Sequence, residues 1–439
     1  MADTAVQDST AQDVRVQDVV VQKYGGTSVG DLERIRKVAA RIARTVEAGY
    51  KVAVTVSAMG RTTDALVSLA KEVTPRPDRR ELDMLMATGE QQSVALLALT
   101  LHSLGLKARS FTGAQAGFLT DSASGGARII EVNPKALLEA FRTVDVVVVA
   151  GFQGVDATGM ITTLGRGGSD TTAVAVAAAL GAPECEIYTD TDGVYTTDPH
   201  LIPTATKLAH IDYDEMLELA SLGAKVLHPR SVWYARRYGV RIHVRSSFSY
   251  TSGTLVAKGE KVVKTDKPVT GVALDRNHAR IDLLGVPDTP GVAAQVFSAL
   301  GAAGVNADTI IQGVPGGNRQ QMAFTVNKDT AEDALEAVRP VLTRLGGEAH
   351  ADPNIAKLSV VGIALGSTPG LAGRMFGAVA KTGANIEMIS TSEVRITVVI
   401  GAAHAVEALR AVHREFGLEA PATAEGAAET TPPSDTARA

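Results

Sequence analysis

Hydrophobic and polar positions divide the chain into two kinds of stretch. Short, almost wholly apolar runs recur, and between them lie longer segments whose apolar residues return every three to four positions. Val19–Tyr24 is such a run and stops at Gly25-Gly26, a strand entering a turn. Lys51–Ala58, Val144–Phe152, Glu184–Asp190 and Val240–Ser246 read as further strands. Val144–Phe152 (VDVVVVAGF) is nearly all apolar, as expected of a central strand covered on both faces. After the first strand, Asp31 is placed to cap a helix whose apolar face is Leu32, Ile35, Val38, Ala39, Ile42 and Val46. Strands alternating with helices predict an α/β fold, a mainly parallel sheet sandwiched by helices.

From Val286 the pattern changes and then repeats. VPDTPGVAAQVFSALGAAGVNADTI lies over LGSTPGLAGRMFGAVAKTGANIEMI (from Leu365), with Pro290 on Pro369 at an offset of 79 residues. Each copy reads strand, Pro-Gly turn, amphipathic helix, Gly-Asn turn, strand. That predicts two α+β modules of ferredoxin-like βαββαβ type. Neither copy clusters catalytic residue types, and small paired modules of this kind more often bind a ligand or each other. The predicted organisation is a flexible arm (1–18), an α/β domain (19–256), a charged linker (257–267), two modules (268–345 and 355–418) and a low-complexity, disordered tail (419–439).

Composition removes several function classes. At 439 residues the chain is long enough for two or three domains, and 45% apolar residues support real cores. A net charge of −5 argues against a dedicated nucleic-acid binder. One cysteine, Cys185, leaves no internal disulfide framework and no cysteine-based zinc cluster, and fits a reducing cytosol. No run of 18 apolar residues predicts a membrane span, and Met1 to Asp18 lacks the pattern of a signal peptide.

Four segments carry chemistry. Lys23-Tyr24-Gly25-Gly26-Thr27-Ser28 joins a cation and a hydroxyl to glycines whose N–H groups can face phosphate oxygens. On its own it reads equally well as an ordinary strand-to-helix turn. Leu164-Gly165-Arg166-Gly167-Gly168-Ser169-Asp170 precedes the apolar helix Ala173–Leu180, and a helix N-terminus favours an anion. Helix capping would explain Ser169 or Asp170, but not an arginine set among glycines. Thr189 to Pro199 (TDTDGVYTTDP) packs hydroxyls and carboxylates beside a strand, as a nucleotide pocket or an Asx-type turn would. In Ala224-Lys225-Val226-Leu227-His228-Pro229, Lys225 could also serve as a helix-dipole partner.

Taken together and in this order, KYGGTS, VSAMGRTTD, ATGEQQS, GFQG, TTLGRGGSDTTA, YTDTDGVYTTDP and AKVLHP resemble the aspartate kinases of the amino acid kinase family. The tandem repeat resembles their paired ACT regulatory modules, and the overall pattern is similar to actinobacterial enzymes regulated by lysine and threonine. The resemblance implies transfer of the γ-phosphoryl group of Mg-ATP to the side-chain carboxylate of L-aspartate, the first step of lysine, threonine and methionine biosynthesis. It implies catalytic roles for Lys23 and Asp170. Ser57, Thr63, Glu90, Phe152, Arg166 and Ser169 would bind aspartate, with Glu90 suited to its ammonium group. Lys23, Gly25, Gly26, Ser28, Thr189, Asp190, Tyr195, Lys225 and Val226 would bind ATP. Magnesium would be held mainly by phosphates and water, with no protein cage. Asp288, Gly291, Asn306 and Gln312 would form a threonine-type effector site. A cytoplasmic homo-oligomer joined through the ACT modules is implied. In some relatives a separate, internally initiated regulatory chain joins it, although no Met lies between Met216 and Met322 here.

Some positions depart from the family pattern. His200 stands where arginine is usual after Asp198-Pro199, and Trp233 where glutamate is common. Leu365–Gly370 lacks the cation and histidine of the usual loop, and Ala307, Thr309 and Gly313 replace bulkier or polar residues. The expectation is an intact catalytic face with altered feedback control. Two alternatives stay open: a kinase of the same fold acting on an aspartate-like acid, and a catalytically silent ACT-based sensor of amino acids.

Overall fold

The computed structural model describes residues 19–223, 226–259, 268–313 and 319–420. The arm 1–18, Lys225, linker residues 260–267 and the tail from 421 lie outside the described residues. Eight strands form the first sheet. Their order is His210–Ile211, Thr254–Val256, Arg241–Ser246, Glu184–Thr189, Val19–Tyr24, Lys51–Val56, Val146–Ala150, Ala108–Phe111. Every pairing from Arg241–Ser246 to Ala108–Phe111 is parallel, and Thr254–Val256 runs antiparallel beside them. The five strands expected from the sequence are all present, with ends within two residues.

Helices cover both faces. Leu32–Glu47 and Arg79–Ser103 pack on Tyr24, Val52, Val54, Val56, Val146 and Val148. Gly168–Leu180, Tyr213–Ser221 and Pro229–Tyr238 pack on Val19, Val21, Ala53, Val147 and Val149. Residues Val146–Ala150 therefore face protein on both sides, and all five are 0% exposed. Asp31 caps the first helix, its carboxylate accepting from the Arg34 N–H at 2.8 Å. Leu32 departs from the expected apolar face and is 52% exposed. A helical side chain leans toward the helix N-terminus, which at the first residue leaves no helix beneath it. A second, four-stranded sheet joins Ile129–Val132, Phe118–Thr120, Gln153–Val155 and Ile161–Thr163.

The repeat forms two antiparallel sheets with matching helices. Gly291 and Gly370 precede Val292–Ala302 and Leu371–Ala380 with φ of 93° and 87°, so the Thr-Pro-Gly turns are equivalent. The modules differ at one edge. In the first, Glu348–Asp352 pairs with His278–Pro287. In the second, the equivalent edge of Ile355–Val361 is filled by Gly271–Asp275, from before the first module. The limits 268–345 and 355–418 thus part from the hydrogen bonding at both ends of the first module. Among the described residues, the second copy ends in the helix Ala405–Glu415 with no strand of its own to cover that edge.

The second module also lies against the α/β domain. The Val272 N–H donates to the Thr196 carbonyl at 2.7 Å, and the Leu418 carbonyl accepts from the Thr196 and Thr206 hydroxyls. The Ala420 N–H donates to the Thr204 carbonyl, so the first residues of the expected tail are ordered against this loop.

Candidate active site

In a parallel sheet, groups at the carboxyl ends of the strands converge on one crevice. Strand alternation turns Lys23, with Val19 and Val21, toward the helix Gly168–Leu180, and turns Gln22 and Tyr24 to the opposite face. Lys23 Nζ lies 2.6 Å from Asp170 Oδ1, with the two side chains 11% and 12% exposed. The helix begins after Gly167 with no side-chain cap, so Ser169 and Asp170 occupy its first turn as residues facing the crevice. The capping explanation fails for both.

The glycine turn has little spare room. A Cβ on Gly26 would stand 2.9 Å from the Ala58 carbonyl oxygen, and one on Gly25 would stand 3.3 Å from Lys23 Nζ. The Gly25 N–H reaches the Tyr188 carbonyl at 3.4 Å, which ties the turn to the strand Glu184–Thr189. Ser28 is buried, its hydroxyl 2.5 Å from that of Ser247.

A second set of groups borders the same crevice. The Ser57 N–H donates to the Tyr24 carbonyl, and the Ala58 N–H donates to Glu90 Oε1 at 3.1 Å. Glu90 is 3% exposed, and its other oxygen has no hydrogen-bond partner among the described residues. Burial pushes its carboxyl up to about 7. Gly89 packs on Ala58 and Thr62, which brings the start of the helix Thr62–Val73, with Thr63, beside Glu90. Phe152 has φ of 70°, a conformation that costs a non-glycine residue about 1–3 kcal/mol. It is held there by its N–H to the Thr172 hydroxyl and its carbonyl to the Leu164 N–H. Ser169 packs on Gly151, where a Cβ would fall 2.6 Å from its Oγ. Arg166 is exposed, between Gly165 and Gly167 with φ of 74° and 66°.

Three supporting residues of this loop were not singled out from the sequence. The Arg230 guanidinium donates to the Leu164 carbonyl at 2.6 Å. The His228 ring fills the space a Cβ on Gly167 would need, and burial lowers its pKa. Asp83, fully buried, accepts from Gly125 and Thr163. Ordinary-looking helical and turn positions gave no local signal for them.

On the other side of Lys23, the Thr189 hydroxyl donates to Asp190 at 3.1 Å. Tyr195 donates to Asp192 at 2.7 Å, and Lys207 pairs with the same carboxylate at 3.0 Å. Burial and Asp192 push the Tyr195 hydroxyl up to about 12. Val226 packs on the core, while Lys225 lies outside the described residues. His200 is exposed, and its N–H is fixed by Asp198, so the loop forms without the usual arginine.

Gln312 bonds Gln320, which reaches the Pro287 carbonyl next to Asp288, and Gly291 starts the following helix. Asn306 instead lines a cavity of about 290 Å³ with Ser221, His278, Asp308 and Arg395. Among the described residues, the one group of three potential metal ligands is Glu184, Glu186 and His243. Arg241 and Arg245 already pair with those two carboxylates.

The amino acid kinase family profile matches residues 18–246, and an ACT domain profile matches 282–341 and 358–416. The chain is 64% identical over 402 residues to an aspartokinase of Thermus thermophilus, covering 91% of this chain and 99% of that one. The chain belongs to the aspartokinases. An aspartokinase of Mycolicibacterium smegmatis is 49% identical over 405 residues, covering 91% and 96%. Among solved structures, Escherichia coli aspartokinase III in complex with aspartate and ADP matches with TM-score 0.75 and 25% identity, over 90% of this chain and 99% of that one. Aspartate kinase from Synechocystis matches with TM-score 0.52 and 45% identity, over 96% and 71%. An aspartokinase phosphorylates a carboxyl group, and the Lys23 end of the sheet suits that chemistry.

Proposed function

We propose that the chain transfers the γ-phosphoryl group of ATP to the side-chain carboxylate of L-aspartate, giving 4-phospho-L-aspartate and ADP. The observation that carries this reading is the Lys23–Asp170 pair beside the glycine turn, with the Arg166 loop on the same helix start. A carboxylate with a pKa of about 4 is ionised at neutral pH, so the acceptor needs no general base. The difficulty is to bring an anion against a polyanion, and positioning with fixed positive charge answers it.

Lys23 meets the transferring phosphoryl group, and Asp170 holds the lysine ammonium in place. Gly25, Gly26 and Ser28 line the phosphate path. Thr189, Asp190, Tyr195, Lys225 and Val226 contact the nucleotide. Arg166 takes the α-carboxylate of the acceptor in a bidentate grip, with Ser169 beside it. Glu90 faces the acceptor's ammonium, and Ser57, Thr63 and Phe152 shape the rest of that pocket. Magnesium neutralises phosphate charge when bound. On this reading the ion is carried mainly by the phosphates and water.

On this reading lysine and threonine, end products of the pathway, act through the ACT modules as effectors of a cytoplasmic homo-oligomer at the head of lysine, threonine and methionine synthesis. Leu365–Gly370, Ala307, Thr309 and Gly313 weaken that control. Full concerted inhibition by low lysine plus threonine would refute the weakening. For the activity itself, ATP and a panel of aspartate, glutamate and N-acetylglutamate are supplied, and acyl phosphate is trapped as hydroxamate. Product from aspartate by the wild type, absent with Lys23→Ala, is expected. Equal hydroxamate from both proteins ends the reading.

A further inference from the structure

We infer that Asp83 is a positioning residue that sets the aim of Arg166, and through it the affinity for the acceptor. Asp83 lies seven residues before Glu90 on the helix Arg79–Ser103, two turns away on the same face. Its side chain is 0% exposed. A buried carboxylate is costly unless its oxygens are filled, and these are filled by two segments distant in sequence. The Gly125 N–H lies 2.9 and 3.1 Å from the two oxygens. The Thr163 N–H donates at 3.1 Å and the Thr163 hydroxyl at 2.6 Å.

Thr163 ends the strand Ile161–Thr163, and Leu164, Gly165 and Arg166 follow directly. The held loop also touches the next step of that path. Ala127 donates its N–H to the Thr163 carbonyl at 2.9 Å, and the Gly125 carbonyl stands 3.1 Å from where a Cβ on Gly165 would be. Left-handed Gly165 is thus laid on the loop that Asp83 clamps. The Arg166 side chain is exposed, with no hydrogen bond or ion pair to the described residues, so the backbone beneath it is what fixes the point from which it reaches. One helix therefore fixes both ends of the acceptor pocket: Glu90 directly, and Arg166 through Asp83. An asparagine at 83 keeps the volume, but its amide would point N–H groups at the N–H donors of Gly125 or Thr163.

The proposal rests on the assignment of Arg166 to the acceptor carboxylate, and the test separates the two. Steady-state kinetics on the full chain should show the KM for L-aspartate raised about tenfold or more in Asp83→Asn, because small misplacements of a gripping group are amplified. Thr163→Val, which keeps Asp83 and the two backbone donors, should show a smaller rise in the same direction. The KM for ATP and kcat should stay within about twofold, as expected for a lost ground-state contact. A fall in kcat with an unchanged KM for aspartate, or equal rises in both KM values, overturns it. A second arm needs no substrate: tryptic cleavage after Arg166 in the folded chain, normalised to cleavage after Arg374. Several-fold faster cleavage in both variants supports the clamp, and wild-type rates in both overturn it even if aspartate proves not to be the acceptor. Should Asp83→Asn fail to fold, Thr163→Val carries both arms.

Discussion

The two faces of the strand Val19–Tyr24 carry polar groups put to opposite uses. On one face, Lys23 meets the single carboxylate of Asp170 at the mouth of the crevice. On the other, Gln22 and Tyr24 enter a closed network. Tyr24 donates to Gln22, Gln22 to Glu186, and Tyr188 and Arg245 to the same carboxylate. The Tyr24 and Tyr188 rings stack at 4.7 Å, with Arg41 4.8 Å over Tyr188. Burial pushes both tyrosine hydroxyls above their ordinary range. The denser network holds the strands in register, whereas the sparse pair keeps an ammonium available for a ligand. Number of polar contacts and functional weight run in opposite directions here.

That contrast is sharpened most by Lys23→Ala. Loss of a group aimed at developing charge costs about 10²–10³ in kcat, and the melting temperature should also fall, because Asp170 is left buried without its cation. Activity kept and stability lost would reverse the roles of the faces. Next in size is Glu186→Gln, which leaves the Arg245 guanidinium half-buried without its carboxylate. Breaking such a pair costs about 3 kcal/mol, read by urea denaturation, with kcat within a few-fold of wild type. Arg166→Lys comes third. A lysine cannot reproduce a bidentate grip, so the KM for aspartate should rise about tenfold, at roughly 1.4 kcal/mol per decade, with the KM for ATP unchanged.

The pH dependence follows from Glu90. Its folded carboxyl titrates near 7, above the ordinary value of 4.5. Below that point the folded site is protonated and neutral, and its attraction for an ammonium group is lost. The KM for aspartate should therefore climb as pH falls from 8 to 6, and Glu90→Gln should abolish the slope. The stability sign is opposite. Between 4.5 and 7 the folded form binds the extra proton, so this residue's penalty on folding is present above 7 and shrinks toward 4.5. A flat aspartate profile in the wild type would remove Glu90 from the site. The smallest expected effect is Tyr24→Phe, which removes one buried hydrogen bond worth about 1 kcal/mol and should leave the kinetics alone.

How much of this was legible depended on whether the signal was local. The parallel sheet follows from strands spaced by helices, whereas Lys23 is half legible, since a strand that stops at two glycines reads equally as an ordinary turn until the other motifs stand beside it. Asp170 was ambiguous because helix caps and anion sites draw on the same residue types. Only the absence of a side-chain cap decides between them. Glu90 looks like any polar helix residue, and the family resemblance alone marked it. Asp83, Arg230 and Glu186 carried no signal, since their roles come from partners 42 to 80 residues away or across the sheet. The strand Gly271–Asp275 shows the same limit at the level of modules. It falls within the limits 268–345 expected of the first module, but the edge it fills belongs to a sheet built later in the chain.

The central claim is that the cation at the end of the first strand promotes phosphoryl transfer to an ionised carboxylate. Single-turnover transfer of label from [γ-³²P]ATP to L-aspartate, in the wild type and in a folded Lys23→Ala, tests it most directly. Rapid labelling of aspartate by the wild type, slowed at least about a hundredfold in the variant, is the predicted result. Labelling at the same rate in both would contradict it.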